Sequence, residues 1–445
     1  MVRASFLLAL LLMHPTTHAE TTWRGTSEAS KVSGSGDVLA PDGSRLSLSS
    51  DQEGTQAFFG SIASLDATPY RGRDVILSGV LEVEEGAGIA SLWIRADAVR
   101  QPLAFDNTRD TPLNLQHRAQ PREVRLYVPV AATHLRFGVT MTGVGRIRAE
   151  SLTLQAGAPA TSTISAYDVL EAALSQMENK ALNRSRVDWK AERARLLTDD
   201  LKELPAQEAH SRIRIALSKL ADHHSSHQAR GKVEALRSAA NPSQPVEARV
   251  ADNVGYLRMP GLSGTDPEAT RQFAASVCRR LEEMAKEASR GVIVDLRVNA
   301  GGNMWPMVSG LFPLLGDGNI GAFRDADGKV SRWKAKAEGG CKAGMTSTPV
   351  AVLIGRGTAS SGEAVATAFK GRPATRFFGQ PTSGLATGNG RITLPDGSAL
   401  MLTQSNFLDR TGLLVPDRLT PDVLVEQGQD AIALADAWLR SATSR

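Results

Sequence analysis

The amino-acid sequence predicts an all-β sandwich followed by a layered α/β domain, because its hydrophobic periodicity changes part-way along the chain. Over residues 20–157, apolar and polar residues alternate with a period of two in several short runs, such as 74–83 and 123–128. Gly, Asp and Pro turns separate these runs, which is typical of an antiparallel sandwich. From about Ala248 onward, strand-like and helix-like runs alternate, which indicates α/β layering.

Further alternating runs in the predicted sandwich lie at 91–95, 135–139 and 146–154. The run 103–107, taken together with Phe137, resembles jelly-roll modules. Such a module would suit glycan binding. A spacer or folding partner is the simpler interpretation, because a fold alone does not determine function.

A linker and a helical region are expected between the two domains. The segment 156–162 consists of small residues and Pro, as flexible connections do. Residues 164–245 are then expected to form a helical subdomain. Ser165 begins a capping pattern, and further helical stretches cover 187–201 and end at Leu220.

The α/β pattern itself consists of predicted strands at 254–259, 291–297 and 349–354, with a long amphipathic helix at 266–288. Another helix is predicted from about Ser361. This alternation of strands and helices is typical of a layered α/β domain.

The composition is that of a soluble globular protein. Of the 445 residues, 42% are hydrophobic and 22% are charged, and 51 basic against 47 acidic residues give a net charge of +4. The length favours two or three domains. Nucleic-acid-binding proteins usually concentrate their basic residues on one face, so we expect no nucleic-acid partner here.

Residues 1–19 have the pattern of a secretory signal peptide. Arg3 provides a positive charge, an apolar stretch covers 6–13, and the cleavage positions precede Glu20. No later stretch reaches the roughly 18 apolar residues of a membrane-spanning helix. The mature protein is therefore expected to be periplasmic or secreted, without a transmembrane segment.

The chain has two cysteines, Cys278 and Cys341. In an oxidising compartment they permit one disulfide. Two free thiols are the equally weighted alternative, because the sequence does not give the distance between the two Cα atoms.

A serine between a strand and a helix is the first candidate for chemistry. The segment 355–363 follows a hydrophobic strand and places Ser360 at a helix N-terminus, where the dipole favours a developing negative charge. The following N–H, that of Ser361, would stabilise an oxyanion. Helix capping by Ser360 or Thr358 explains this segment, taken alone, more simply.

Paired glycines and a histidine cluster add to this candidate. Gly301 and Gly302 would let a backbone N–H approach a substrate oxygen, although a tight turn explains them as well. His223, His224 and His227 follow a predicted helix, and histidine is the usual acceptor of a serine proton. A polar helix end is the simpler alternative for them. We expect no metal, because HExxH and clustered CxxC patterns are absent.

Three motifs in sequence order carry a family resemblance. They are Leu-x-Asp-x-His-Ser at 220–225, Asp-Leu-Arg-x-Asn-x-Gly-Gly at 295–302 and Thr-Ala-Ser-Ser-Gly-Glu at 358–363. Together they resemble the C-terminal processing peptidase and tricorn-type family of serine peptidases over about 164–426. The resemblance implies an α/β crotonase-like fold, a ββα superhelix, over 246–445, with the helical subdomain before it. It also implies a peptide or protein substrate and no cofactor.

The resemblance also implies roles for individual residues. Ser360 corresponds to the nucleophile and His224 to the general base, with His223 in the variable place of its motif. The oxyanion donors would be the backbone N–H groups of Ser361 and of Gly301 or Gly302.

The sequence departs from many family members, which pair the serine with a lysine. Leu385 occupies that position here, and Lys370 lies at a predicted helix end facing solvent. This places the chain with the tricorn-like and retinoid-binding-protein-like branch, whose base is a histidine oriented by a serine and a glutamate. Ser225 and Asp409 are the candidates for that orienting role. A PDZ module does not fit, since only about 20 residues separate His227 from the next strand.

The leading hypothesis is an exported serine peptidase that forms an acyl-enzyme on Ser360. One alternative is a non-catalytic relative that binds a hydrophobic ligand or peptide on the same scaffold; the presence of both Ser360 and His224 favours the enzyme. A crotonase-type acyl-CoA enzyme is a third hypothesis that fits the same oxyanion pattern, but it conflicts with export because CoA is cytoplasmic.

Overall fold

The computed structural model describes residues 20–51, 58–86, 89–99, 101–109, 113, 119–235, 241–242, 245–426 and 428–442. The chain divides into two compact units, with the boundary between Thr163 and Ile164. The predicted signal peptide, residues 1–19, lies outside the described residues.

The first unit is all-β. Its strands are β1 (Arg24–Gly25), β2 (Lys31–Gly36), β3 (Ser44–Ser50), β4 (Phe58–Asp66), β5 (Arg73–Gly86), β6 (Ile89–Asp97), β7 (Pro102–Asn107), β8 (Gln120–Val128), β9 (His134–Thr142) and β10 (Gly145–Pro159). They form two five-stranded sheets, in the orders β1-β4-β9-β6-β7 and β2-β3-β10-β5-β8. The paired strands are antiparallel.

The period-two alternation gives each sheet one apolar face. Leu77 of β5 and Leu92 of β6 belong to different sheets, yet both are fully buried in the same core. The predicted all-β region of antiparallel strands is therefore confirmed.

The predicted linker at 156–162 is wrong in its first half. Strand β10 continues to Pro159, and Ala156 and Pro159 pair with Val75 and Arg73 of β5. The reason is that β5 is itself long, so its backbone offers partners to residues whose small side chains suggested a flexible connection.

The second unit begins with a helical region. Its helices are α1 (Ala166–Lys180), α2 (Trp189–Leu196), α3 (Ala209–Lys219) and α4 (Arg230–Ala235). The predicted stretch 187–201 is shorter than expected, because α2 ends at Leu196 and a separate 3-10 turn covers Asp199–Lys202.

The α/β part contains five more helices and thirteen strands among the described residues. The strands are β11 (Ser226–Gln228), β12 (Asn241–Pro242), β13 (Glu247–Ala251), β14 (Val254–Arg258), β15 (Leu262–Ser263), β16 (Gly291–Asp295), β17 (Gly321–Asp325), β18 (Val330–Trp333), β19 (Val350–Ile354), β20 (Thr375–Gly379), β21 (Thr387–Thr393), β22 (Ala399–Leu408) and β23 (Val423–Leu424). The helices are α5 (Pro267–Met284), α6 (Met304–Gly310), α7 (Phe312–Leu315), α8 (Ser361–Phe369) and α9 (Ala431–Ala442).

Two larger sheets organise this part. A six-stranded sheet has the order β13-β14-β16-β19-β20-β23, and another has the order β11-β22-β17-β18 with β21 also paired to β22. The strands from β14 to β23 in the first sheet are parallel, whereas β13 is antiparallel to β14. The helical region shares a core with β22, since Leu400 and Leu402 are buried among residues of α1 and α3.

The parallel strands β16 and β19 are neighbours and are buried along their whole length. The carboxyl ends of parallel strands meet at one edge of a sheet. The segment with Gly301 and Gly302 follows β16, and the segment with Ser360 follows β19. The topology therefore brings two motifs that are far apart in sequence to the same edge.

Cys278 of α5 and Cys341 form a disulfide, with their Cα atoms 6.0 Å apart. This decides between the two alternatives that the sequence left open.

In the described part of the chain, no helix combines the length and apolarity needed to cross a membrane.

Candidate functional site

Ser360 is the residue immediately before α8 and has an unusual backbone conformation. Its φ is 52° and its ψ is −117°, in a region that costs a non-glycine residue about 1–3 kcal/mol. Hydrogen bonds on both sides hold it there. The Ala359 amide donates to the Asn299 carbonyl (3.0 Å), and the Ser360 amide donates to the Glu363 carboxylate (2.8 Å).

The Ser360 hydroxyl lies 2.9 Å from Nε2 of His224, although the two residues are 136 positions apart. Nδ1 of the same imidazole lies 2.8 Å from the Thr387 hydroxyl. A histidine that accepts the serine proton at Nε2 carries its other proton on Nδ1. That Nδ1–H then donates to Thr387, which fixes the orientation of the ring.

The loop before β11 presents His224 through its backbone. The Asp222 carboxylate accepts hydrogen bonds from the amides of His224 (3.0 Å) and Ser225 (2.7 Å). The His224 carbonyl accepts a hydrogen bond from the Asn389 side chain (3.0 Å). His223, in contrast, is exposed and has a φ of 55°.

Ser225 and Asp409, the two residues predicted to orient His224, do not hydrogen-bond to its imidazole. The Ser225 hydroxyl donates to Asp222 (2.6 Å) and accepts from the Thr403 amide (2.9 Å). Asp409 accepts from the backbone amides of Thr411 and Leu413 within its own turn. These contacts occupy the polar atoms of both side chains away from His224.

Thr387 occupies the place on the imidazole that those two residues were expected to fill. No sequence motif marks Thr387, because a threonine at the start of a strand is common and its partner His224 is 163 positions away. The signal that could have found it is its position two residues after Leu385, in the segment where many relatives have their lysine.

Burial lowers the pKa of His224, and the negative charge of Asp222 opposes this effect. A lowered pKa leaves the imidazole neutral at neutral pH, so its Nε2 is able to accept a proton.

The carboxylate of Glu363 is buried and joins the turn at Ser360 to the loop after β20. It accepts hydrogen bonds from the Ser360 amide, from the Thr382 hydroxyl (2.5 Å), and from the amides of Gly384 (3.0 Å) and Leu385 (2.9 Å). Burial raises the pKa of Glu363, and these four donors oppose that effect. Glu363 positions the Ser360 backbone, since its oxygens accept from three backbone amides and the Thr382 hydroxyl and do not contact His224.

Two backbone segments meet beside the serine. A Cβ on Gly301 would lie 3.0 Å from both the Ser360 Cβ and the Ser361 amide nitrogen, and its φ of 101° also favours glycine. The Gly301 amide donates to the Asn299 side chain (3.1 Å). The Gly302 carbonyl accepts from the Ser361 hydroxyl (2.6 Å), so Gly302 also faces the start of α8.

The amide of Ser361 is suited to an incoming ligand. It is the first residue of α8, and the first N–H groups of a helix have no intrahelical acceptor. The next two amides, of Gly362 and Glu363, already donate to the carbonyls of Ala359 and Ser360.

A pocket of about 630 Å³ lies beside His223 and Thr387, with Arg186 and Arg324 in its polar wall.

Among the described residues, the possible metal-ligand atoms of Cys278, Glu282 and Cys341 lie within 4.8 Å of one another. The two thiols are joined in the disulfide, so they are not available as thiolate ligands.

Residues 253–425 match the family model described as peptidase family S41. The chain carries a peptidase family S41 domain. The matched segment runs from just before β14 to just after β23 and contains Ser360, both glycines and Thr387, whereas His224 precedes it. The family resemblance predicted from the three motifs is confirmed.

Several curated proteins are similar to parts of this chain. The nisin-resistance protein of Lactococcus lactis subsp. lactis is 32% identical over 208 residues, which are 44% of this chain and 63% of that protein. The carboxy-terminal-processing protease of Bartonella bacilliformis is 28% identical over 185 residues, 41% of each chain. The chain thus spans less than two thirds of the length of these relatives.

A solved structure, that of a lipoprotein from Streptococcus agalactiae, is similar to this chain at 25% sequence identity with a TM-score of 0.56. The similarity covers 64% of this chain and 99% of the lipoprotein.

Proposed function

We propose that the protein is a serine-type peptidase whose nucleophile is Ser360 and whose general base is His224. The observation that carries this proposal is the 2.9 Å contact between the Ser360 hydroxyl and Nε2 of His224 at a helix N-terminus. A nucleophile and base within hydrogen-bond reach, with the base held by a third group, is the arrangement that nucleophilic catalysis requires. Thr387 is that third group.

In the first step, Ser360 Oγ attacks the carbonyl carbon of a peptide bond and its proton moves to Nε2 of His224. The oxyanion is stabilised by the N–H groups of Ser361 and Gly302, since the Gly301 amide is bonded to Asn299. The C–N bond then breaks and the imidazolium gives its proton to the leaving amine. Water attacks the ester in the reverse sequence of proton transfers, which releases the acid and regenerates Ser360.

The substrates are peptides or proteins, by the same proposal, and no cofactor takes part. The name of the Bartonella bacilliformis relative supports this substrate class. We also infer export through residues 1–19; the disulfide between Cys278 and Cys341 supports this, because disulfides persist in oxidising compartments. The crotonase-like superhelix and the jelly-roll type of the first unit belong to the same proposal; the order β13-β14-α5 supports the former.

A fluorophosphonate serine probe tests the proposal directly. The purified mature protein, residues 20–445, should be labelled on Ser360, as peptide mapping would show, and labelling should fall sharply in His224→Ala. His223→Ala is the matched control and should label normally. A folded protein that hydrolyses no peptide pool and is not labelled would be the non-catalytic relative instead.

A further inference from the structure

A second groove adjoins the Ser360 site on the side of Gly302. We call it the α5–α6 groove; its volume is about 450 Å³, within the range of ligand sites, roughly 300–1,000 Å³. One wall is α5, the floor is the start of α6, and the other wall is the extended chain after β18. The groove is lined by Thr270, Arg271, Ala274, Asn303, Trp305, Pro306, Ser309, Lys334, Lys336 and Glu338.

The groove is continuous with the candidate active site through the backbone. Asn303 directly follows Gly302, whose carbonyl is bonded to the Ser361 hydroxyl at 2.6 Å. Asn303 then caps α6, accepting from the Trp305 amide at 3.2 Å. The lining of the groove therefore begins one residue after the contact between Gly302 and Ser361.

Trp305 provides an exposed apolar surface at this entrance. It is 45% exposed although it is large and aromatic, and its ring makes an edge contact with Phe323, at a centroid distance of 6.4 Å. A tryptophan with one side packed and the other exposed is a frequent anchor for a bound chain.

The opposite wall is basic because of strand alternation. Trp333 and Ala335 are buried, so Lys334 and Lys336 between and after them point outward. Within the described residues, neither ammonium has a carboxylate within ion-pair distance. Arg271 across the groove is paired with Glu268, and Glu338 is the one carboxylate of the lining. The two unpaired lysines leave the groove with a positive excess.

The wall that carries the lysines is fixed in two places. The Lys336 amide donates to the Ser309 hydroxyl of α6 (3.3 Å), and the disulfide ties Cys341 to Cys278 of α5. Such a wall is held in position before a ligand arrives, which lowers the entropic cost of binding.

We propose that the α5–α6 groove is a substrate subsite for an extended polypeptide segment that carries Asp or Glu side chains. Trp305 packs on the chain and Lys334 and Lys336 bind its carboxylates. This inference rests on the proposed peptidase function for its substrate, although the binding itself is independent of catalysis.

Binding to the Ser360→Ala protein, residues 20–445, tests the subsite without turnover. The probes are three fluorescein-labelled peptides of alternating Ala with Glu, Gln or Lys, measured by anisotropy. The Glu peptide should bind most tightly and weaken as salt rises. Lys334→Glu with Lys336→Glu should weaken it roughly three- to thirtyfold, as expected for two exposed ion pairs, and favour the Lys peptide. Trp305→Ala should weaken all three peptides.

The matched control is Lys190→Glu with Lys286→Glu, which changes the net charge equally at exposed positions outside the groove. Equal affinities for the three peptides, or an equal effect of the control pair, would overturn the proposal. Circular dichroism verifies that each variant is folded.

Mapping of cleavage sites in a peptide pool separates the two proposals. An acidic preference on one side of the cleaved bond, reversed by the Lys334→Glu/Lys336→Glu protein, supports both. Cleavage without such a preference, unchanged by the reversal, refutes the subsite and leaves the peptidase. Binding of the Glu peptide without any cleavage leaves the subsite and refutes the peptidase.

Discussion

Helices α1 and α8 begin with the same sequence pattern, a serine followed three residues later by an acidic residue, but they use it differently. At α1, the Ser165 hydroxyl accepts from the Asp168 amide (3.1 Å) and donates to the Asp168 carboxylate (2.7 Å). At α8, the Ser360 hydroxyl lies on His224, while the Ser360 amide donates to the Glu363 carboxylate. The pattern therefore caps the helix at α1, whereas at α8 it presents the serine hydroxyl to His224.

The backbone makes this difference. Ser165 is extended, with φ −74° and ψ 154°, which directs its side chain to its own helix. Ser360 has φ 52° and ψ −117° and is held there by a buried carboxylate, whereas Asp168 is exposed. The pattern thus locates a helix start, and the tertiary contacts of the acidic residue decide what the serine does.

The largest difference between the two serines should appear in activity. Ser360→Ala is expected to lower turnover about 10⁶-fold, the usual effect of losing such a nucleophile, with little change in stability. Ser165→Ala should lower the free energy of unfolding by about 1 kcal/mol and leave turnover unchanged. Peptide hydrolysis and urea unfolding measure both. Near-normal hydrolysis by Ser360→Ala would mean that the two serines do not differ in function.

The two acidic residues should differ next. Glu363→Gln keeps the volume of the side chain but directs an amide NH₂ at donors that need an acceptor. We expect a loss of about 2–4 kcal/mol in the free energy of unfolding, and reduced turnover, because buried donors lose their partner. Asp168→Asn should leave both nearly unchanged. If Glu363→Gln were as stable as the parent protein, the carboxylate would not be what holds the Ser360 backbone.

The sequence predicted the fold where a local pattern was repeated, and failed where the contact was long-range. The strands β5, β9 and β10 and helices α1 and α8 followed from periodicity and capping. Ser360, His224 and the two glycines came from motifs. Thr387 did not, because hydrogen bonding to an imidazole leaves no periodic trace in sequence, and only the pairing of β21 with β22 brings it to His224. The extension of β10 was missed for a similar reason, since its partner is the long strand β5.

Thr387 offers a smaller effect that sharpens the distinction between local and long-range contacts. Thr387→Val removes the hydroxyl and leaves Nδ1 of His224 without a partner. Turnover should fall roughly ten- to hundredfold, which corresponds to about 1.4–2.7 kcal/mol, while Thr387→Ser should keep most activity. Asp409→Asn, at the other predicted position, should leave kcat near that of the parent. If Asp409→Asn lowered kcat more than Thr387→Val, the orienting role predicted for Asp409 from the sequence would stand.

The pH dependence of kcat/KM tests the environment of His224. In the proposed mechanism the neutral imidazole is the active form, so activity should fall as the pH drops through its pKa, which burial places below the ordinary value of about 6.5. The Asp222 charge raises that pKa. Asp222→Asn should therefore move the acidic limb to still lower pH and keep an oxygen that accepts from the His224 amide. A limb that moves to higher pH would show that Asp222 acts in another way.

The smallest expected effect concerns Lys370, at the opposite end of α8 from Ser360. Its ammonium lies over the ring of Phe377, 5.4 Å from the centroid. Since α8 ends at Phe369, Lys370 is about 15 Å along the helix axis from Ser360, well beyond the roughly 3 Å that a general base requires. Lys370→Met should keep turnover within a few-fold of the parent and lower the free energy of unfolding by at most about 1 kcal/mol, through the lost contact with Phe377. A Lys370→Met protein that is folded by circular dichroism but inactive would show that the lysine, rather than His224, acts as the base.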